Sequence, residues 1–134
     1  MAGYSSTPLA KKLGIKQGFK IKLVNAPAYY FELFADMPAD LTIANTAKKE
    51  LNFIHFFTKD SAELMQNLPV LKSEIVPNGM IWVSWPKKAS QVATDVNEQA
   101  IRDLALSIGL VDIKVCAVDD TWSALKLVVP VKAR

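Results

Sequence analysis

Residues 52–57 read Asn-Phe-Ile-His-Phe-Phe, and residues 80–85 read Met-Ile-Trp-Val-Ser-Trp. Neither run alternates apolar with polar side chains, as a strand with one wet face would. A near-continuous apolar run suits a strand covered on both faces, which is the habit of parallel sheets. Between the two runs, Leu64, Leu68, Leu71 and Ile75 recur at helical spacing. Strand, helix and strand in that order predict a β-α-β unit at the centre of an α/β fold.

The connecting residues punctuate that unit. Asp60 and Glu63 have the spacing of a capping box, with Asp where Ser or Thr is usual. Pro69 falls inside the helical pattern and is expected to kink or split the helix. Pro77-Asn78-Gly79 reads as a turn before the second strand.

Toward the N-terminus, residues 7–14 (Thr-Pro-Leu-Ala-Lys-Lys-Leu-Gly) predict a short helix. Thr7 serves as its N-cap, Pro8 fits the first helical position, and Gly14 supplies the left-handed terminator. Gly18 opens a strand over residues 19–24. Asn25-Ala26-Pro27 follows, then an aromatic helix over residues 28–35 ended by Met37-Pro38, then a short strand over 41–44. Lys20 and Lys22 alternate with apolar residues, so the first strand protrudes from the sheet or lies nearer an edge than a central strand would.

Toward the C-terminus, Asp95 or Asn97 can cap a helix whose Ile101, Leu104, Ala105 and Ile108 share one face, with Gly109 as terminator. Residues 114–118 and 124–131 read as strands joined by a hairpin at residues 119–123. The prediction is an α/β, three-layer Rossmann-like sandwich with a mostly parallel sheet and a C-terminal antiparallel hairpin. It forms one domain over residues 1–134.

The bulk numbers agree with a soluble globular protein. The chain has 134 residues, 51% of them hydrophobic and 22% charged, with net charge +3. A chain of that length buries roughly two-thirds of its unfolded surface, so it needs no metal or disulfide staple. No apolar signal core and no run of ~20 apolar residues appears, and a cytoplasmic location with no membrane partner is expected. Cys116 and His55 are the only cysteine and histidine, which excludes zinc sites built from several such ligands in one chain. Arg102 and Arg134 are the only arginines. Bidentate reading of bases favours arginine, so specific nucleic-acid recognition is disfavoured while weak nonspecific binding is not. The oligomeric state is not readable from the chain.

The order of elements ending in "IVPNGMIWVSW", helix and hairpin resembles a shortened Rossmann-like methyltransferase domain over most of residues 14–131. That resemblance implies a ligand cleft at the carboxyl ends of the strands. Methyltransferases carry a glycine-rich loop after the first strand; here the position reads Asn25-Ala26-Pro27, and no acidic residue convincingly ends the second strand. The fold is thus implied without the S-adenosylmethionine site, and the cofactor stays unknown. "GYSSTPLAKKLGIKQGFK", "GMIWVSWPKKASQVATD" and "GLVDIKVCAVDDTWSALK" resemble recurring signatures of an uncharacterised bacterial family of unknown function. That similarity implies a stand-alone domain and no activity.

In open α/β sheets ligands bind beyond the carboxyl ends of the strands, where strand order reverses. The segments reaching that pole give the candidate ligand-binding residues Asn25, Lys59, Trp85, Lys87, Lys88, Ser90, Thr94, Asp119 and Trp122. Lys87 and Lys88 suit a phosphate or carboxylate, and Trp85 and Trp122 suit stacking. Each has a plain alternative as solvated lysine or core aromatic, and the 119–122 segment joins the pole only if the penultimate strand runs parallel to the rest. His55 reads as a hydrogen-bonded core histidine and Cys116 as a small buried hydrophobe. No catalytic or metal-binding set emerges. The leading expectation is a non-catalytic module for a small anionic or nucleotide-like ligand. Alternatives are a protein–protein interaction scaffold presenting Trp85 and Trp122, and a small transferase with a degenerate methyltransferase-like site.

Overall fold

The computed structural model describes residues 7–44 and 50–134. The first four residues of the "GYSS…" signature lie outside them. The elements are helix α1 (Leu9–Leu13), strands β1 (Lys20–Val24), β2 (Thr42–Ile43) and β3 (Leu51–Phe57), helix α2 (Ser61–Lys72), strand β4 (Ile75–Pro86), helix α3 (Glu98–Ser107), and strands β5 (Val111–Ala117) and β6 (Trp122–Val128). They build a six-stranded sheet in the order β2-β1-β3-β4-β6-β5. β1 pairs in parallel with β2 and β3, and β3 with β4; β6 is antiparallel to both β4 and β5. This is the mixed α/β Rossmann-like sheet that the apolar runs predict, with helices on both faces.

One face of β3, β4 and β6 packs against α2 and α3 through Ile54, Phe56, Leu64, Leu68, Ile81 and Ile101. The other packs against α1 through Leu13, Ile21, Phe53, Trp82 and Ala124. Two faces covered in this way explain why β3 and β4 read as unbroken apolar runs.

Local signals placed several boundaries correctly. Gly14 and Gly109 adopt left-handed φ of 82° and 89° at helix ends, and the Asn97 side chain accepts from Ala100 N at 2.8 Å to cap α3. Pro69 leaves α2 as one helix. Pro69 and Met65, whose carbonyl loses the amide partner, both face solvent, where water satisfies the oxygen.

Other expectations are corrected by long-range contacts. Thr7 is not the cap of α1: Pro8 occupies the N-cap position without a side-chain bond. Asp36 instead accepts from Ala10 N and Lys11 N, both at 3.1 Å. The aromatic helix over 28–35 shrinks to one 3-10 turn at Tyr30–Leu33, after which Phe34 is extended. Tyr30 turns inward to the core and Asp36 must reach α1, so the backbone cannot stay helical between them. Pro77-Asn78-Gly79 is not a turn between elements but an excursion within β4. Leu51 pairs with Ile75 and Phe53 with Met80, so the extra β4 residues bulge outward. A Cβ on Gly79 would lie 2.9 Å from Leu51 O and 3.0 Å from Val76 O, which only glycine avoids.

The lysines of β1 also find their reason. β1 is interior by order but edge-like by length, because β2 reaches only Lys20 and Ile21. Lys20 pairs with exposed Glu50 at 3.2 Å, and Lys22 reaches buried Glu74 at 2.8 Å.

Candidate functional site

Strand order reverses between β1 and β3, since the chain runs outward from β1 to β2 and then returns to β3 on the other side. β5 runs parallel to β4 because both are antiparallel to β6. The 118–121 connection therefore arrives at the carboxyl pole, and Lys87 N binds Thr121 O at 2.8 Å there. Among the described residues, two clefts open at this pole.

The first, about 260 Å³, lies at the reversal and is lined by Asn25, Phe57, Thr58, Lys59, Glu63 and Trp122. Asn25 takes a left-handed φ of 57° where β1 ends. Its amide then donates to Phe57 O at 3.2 Å and Glu63 Oε2 at 3.1 Å, bridging the ends of β1 and β3. Thr58 Oγ1 donates to Glu63 Oε1 at 2.7 Å. The Trp122 indole stands edge-on to Phe57 at 5.1 Å and walls the cleft. Glu63 was legible only as half of a capping box. Asp60 does cap α2 through Ala62 N, but the Glu63 carboxylate points into the cleft instead of back to Asp60.

The second cleft, about 440 Å³, lies beyond β4 and includes Trp85, Lys87, Lys88, Thr94 and Asp95 in its lining. Its rim is tied down. Thr94 Oγ1 donates to Lys59 O at 2.8 Å and accepts from Val96 N at 3.0 Å. Asp95 accepts from the Ser61 amide at 2.8 Å and hydroxyl at 2.7 Å, and those bonds hold its carboxyl below the usual carboxylate range. Ser90 Oγ donates to Lys87 O at 2.6 Å and accepts from Val92 N at 3.2 Å. Lys88 is exposed, and its ammonium has no hydrogen bond or ion pair among the described residues.

The nine sequence candidates therefore divide. Asn25, Lys59 and Trp122 line the first cleft, and Trp85, Lys87, Lys88 and Thr94 the second. Ser90 and Asp119 line neither. Asp119 Oδ1 accepts from Thr121 N and Trp122 N, both at 2.8 Å, which closes the hairpin. Its Oδ2 accepts from Tyr29 Oη at 2.8 Å; partial burial and then this carboxylate raise the Tyr29 pKa.

Beneath the first cleft lies a buried polar chain. Tyr30 Oη is 2.9 Å from His55 Nδ1, and His55 Nε2 is 2.7 Å from Ser84 Oγ. All three side chains are sealed from solvent. Burial drives the His55 pKa down to about 3, so the ring is neutral, and burial raises that of Tyr30. Serine beside histidine resembles a nucleophile with its base, but catalysis requires access. The chain is a core network, as the sequence anticipates for His55.

The fold and its pole define a Rossmann-like domain of methyltransferase shape. A SAM-dependent methyltransferase from Aquifex aeolicus superposes with a TM-score of 0.65 at 14% identity, over 89% of this chain and 86% of that one. A putative type 11 methyltransferase from Sulfolobus solfataricus gives 0.60 at 11% identity, over 90% and 88%. A Burkholderia thailandensis 1,6-didemethyltoxoflavin-N1-methyltransferase, in a structure with bound S-adenosylhomocysteine, gives 0.59 at 10%, over 89% and 73%. These likenesses describe the fold. The chain belongs to DUF3052, a family of proteins of unknown function, whose model matches residues 37–131. No curated protein matches the sequence.

Among the described residues, the reversal lacks the glycine-rich loop expected of a methyltransferase. Where a glycine loop would let backbone approach a cofactor, the Asn25 amide is committed to Phe57 and Glu63, and Pro27 has no N–H to offer. After β2 the first acidic residue is Glu50, which pairs with Lys20 at the opposite pole.

Proposed function

We propose that the chain is a single binding domain for a small anionic, nucleotide-like ligand, held in the cleft beyond β4. The observation that carries this reading is the contrast between the cleft's rim and Lys88. Thr94 and Asp95 spend their side-chain oxygens on the protein's own backbone and on Ser61, and Asn97 Oδ1 caps α3. Lys88 extends from that fixed rim with its charge unspent. At about 440 Å³ the cleft falls within the ~300–1,000 Å³ range of small-molecule sites. A preformed rim lowers the ordering cost of binding. Lys87, beside Lys88, adds positive charge at the mouth, and Trp85 supplies an apolar floor. Lysine as a point charge suits phosphate without demanding a bidentate fork.

Isothermal titration with AMP, ADP, ATP and inorganic phosphate tests it, with S-adenosylmethionine as comparator. A phosphate-bearing ligand should bind, and Lys88→Ala should weaken it by tenfold or more while leaving the melting temperature in place. If no phosphate compound binds, or if Lys88→Ala binds as the wild type does, the reading fails.

A further inference from the structure

A second concentration of positive charge lies on the α1 face of the sheet, away from the carboxyl-pole clefts. Trp82 and Lys126 are direct cross-strand partners on β4 and β6, so their side chains share a face. The Trp82 indole donates to Leu13 O at 2.8 Å, which brings the end of α1, and Lys16 just after it, over this part of the sheet. Lys12 Nζ donates to Ala117 O on β5 at 3.2 Å. Lys114 sits in the irregular stretch of β5 between Asp112 and Val115.

Lys126 feels two of its neighbours. Partial burial, then Lys114, then Lys16 lower the Lys126 pKa. Lys12 and Lys114 both act on the Cys116 thiol, whose pKa burial nonetheless raises. The ion pairs among the described residues involve none of these lysines. The acidic residue of β5, Asp112, is bound to Arg102 of α3. A lysine on an edge-strand bulge is also a device against edge-to-edge pairing, which accounts for Lys114. It does not account for Lys16, or for Lys126 held half-buried beside like charge.

We infer that Lys12, Lys16, Lys114 and Lys126 form a docking surface for the phosphate backbone of nucleic acid, read without regard to base sequence. The cluster is all lysine, with no arginine to fork onto a base edge. It lies on a sheet face and an edge, where an extended polyanion can meet all four ammonium groups. Such contacts act by releasing condensed counterions, so affinity falls with salt in proportion to the number of phosphates met. The surface is independent of the small-ligand cleft.

Fluorescence anisotropy with a labelled mixed-sequence DNA duplex at several salt concentrations tests the inference. The expected slope of log K against log salt is about −3.6, from four contacts at about −0.9 each. Lys16→Ala and Lys114→Ala, both at exposed positions, should each flatten the slope by about 0.9 without moving the melting temperature. Lys88→Ala should leave it unchanged. A duplex that shows no salt-sensitive binding overturns the inference. So does a Lys16→Ala/Lys114→Ala double variant that keeps the wild-type salt slope, or equal affinity for poly-glutamate or for phosphatidylserine vesicles.

Discussion

The Trp82 indole and the Leu13 main-chain carbonyl, 69 positions apart, meet in a buried 2.8 Å hydrogen bond. The bond fastens α1, a helix of only five residues, to the middle of the sheet. Helices that short are marginal by themselves, so α1 depends on its docking. Trp82→Phe keeps most of the apolar bulk but strands the carbonyl. It should destabilise the protein by about 1–3 kcal/mol, seen as a lower urea midpoint with an unchanged slope. An unchanged midpoint would show that α1 is held by packing alone.

Lys22 and Glu74 form the pair with the most buried member, for Glu74 is only 2% exposed. Removing one partner leaves a buried charge unanswered. Lys22→Met should therefore cost about 3–5 kcal/mol, whereas Lys22→Met/Glu74→Leu should recover most of that loss. Chemical denaturation of both variants checks the pattern, and a double variant weaker than the single one would contradict it.

His55 sets an acid limit on the fold. Its pKa is about 3 when folded against 6.5 for the free side chain, so between those values the unfolded chain binds the extra proton. The stability from the neutral ring is fully present above pH 6.5 and drains away as pH falls, at up to about 1.4 kcal/mol per pH unit. His55→Leu should remove that part of the acid sensitivity. It should also lower stability at pH 7.5 by about 2–4 kcal/mol, because the Tyr30 and Ser84 hydroxyls lose their partner. Thermal melts from pH 4 to 8 on both proteins measure each effect.

Gly79→Ala probes the bulge in β4. The added methyl would press on two backbone oxygens, those of Leu51 and Val76, which cannot swing aside as a side chain could. A loss of about 1–3 kcal/mol is expected, measured as a drop in melting temperature. A neutral result would mean the β3–β4 register relaxes at little cost.

These residues also mark the limit of sequence reading. The apolar runs of β3 and β4, the Asn97 cap and the Gly14 and Gly109 terminators are statements about neighbours within a few residues, and they were legible. Asp36 capping α1, Tyr30 turning to His55 and Lys22 reaching Glu74 join residues 25 or more positions apart. No local pattern announces such partners, and the aromatic helix failed for this reason. At the pole, Lys87 and Lys88 were visible as charges. The engagement of Ser90, Thr94 and Asp119 in turn bonds was not, because a hydroxyl or carboxylate looks equally free in a sequence whether it meets a ligand or its own backbone.

The loop beyond β4 is anchored at its far end by Thr94 on Lys59 and Asp95 on Ser61, and at its near end by Lys87 on Thr121. Gln91 is fixed in turn by its left-handed φ of 61°. Val92 and Ala93 remain, exposed and lining the larger cleft with their side chains outside those anchors. Those two adjacent positions are a natural handle for engineering. A library randomised at Val92 and Ala93 would reshape one wall of the cleft while the sheet, both caps and the hinge points of the loop stayed as they are.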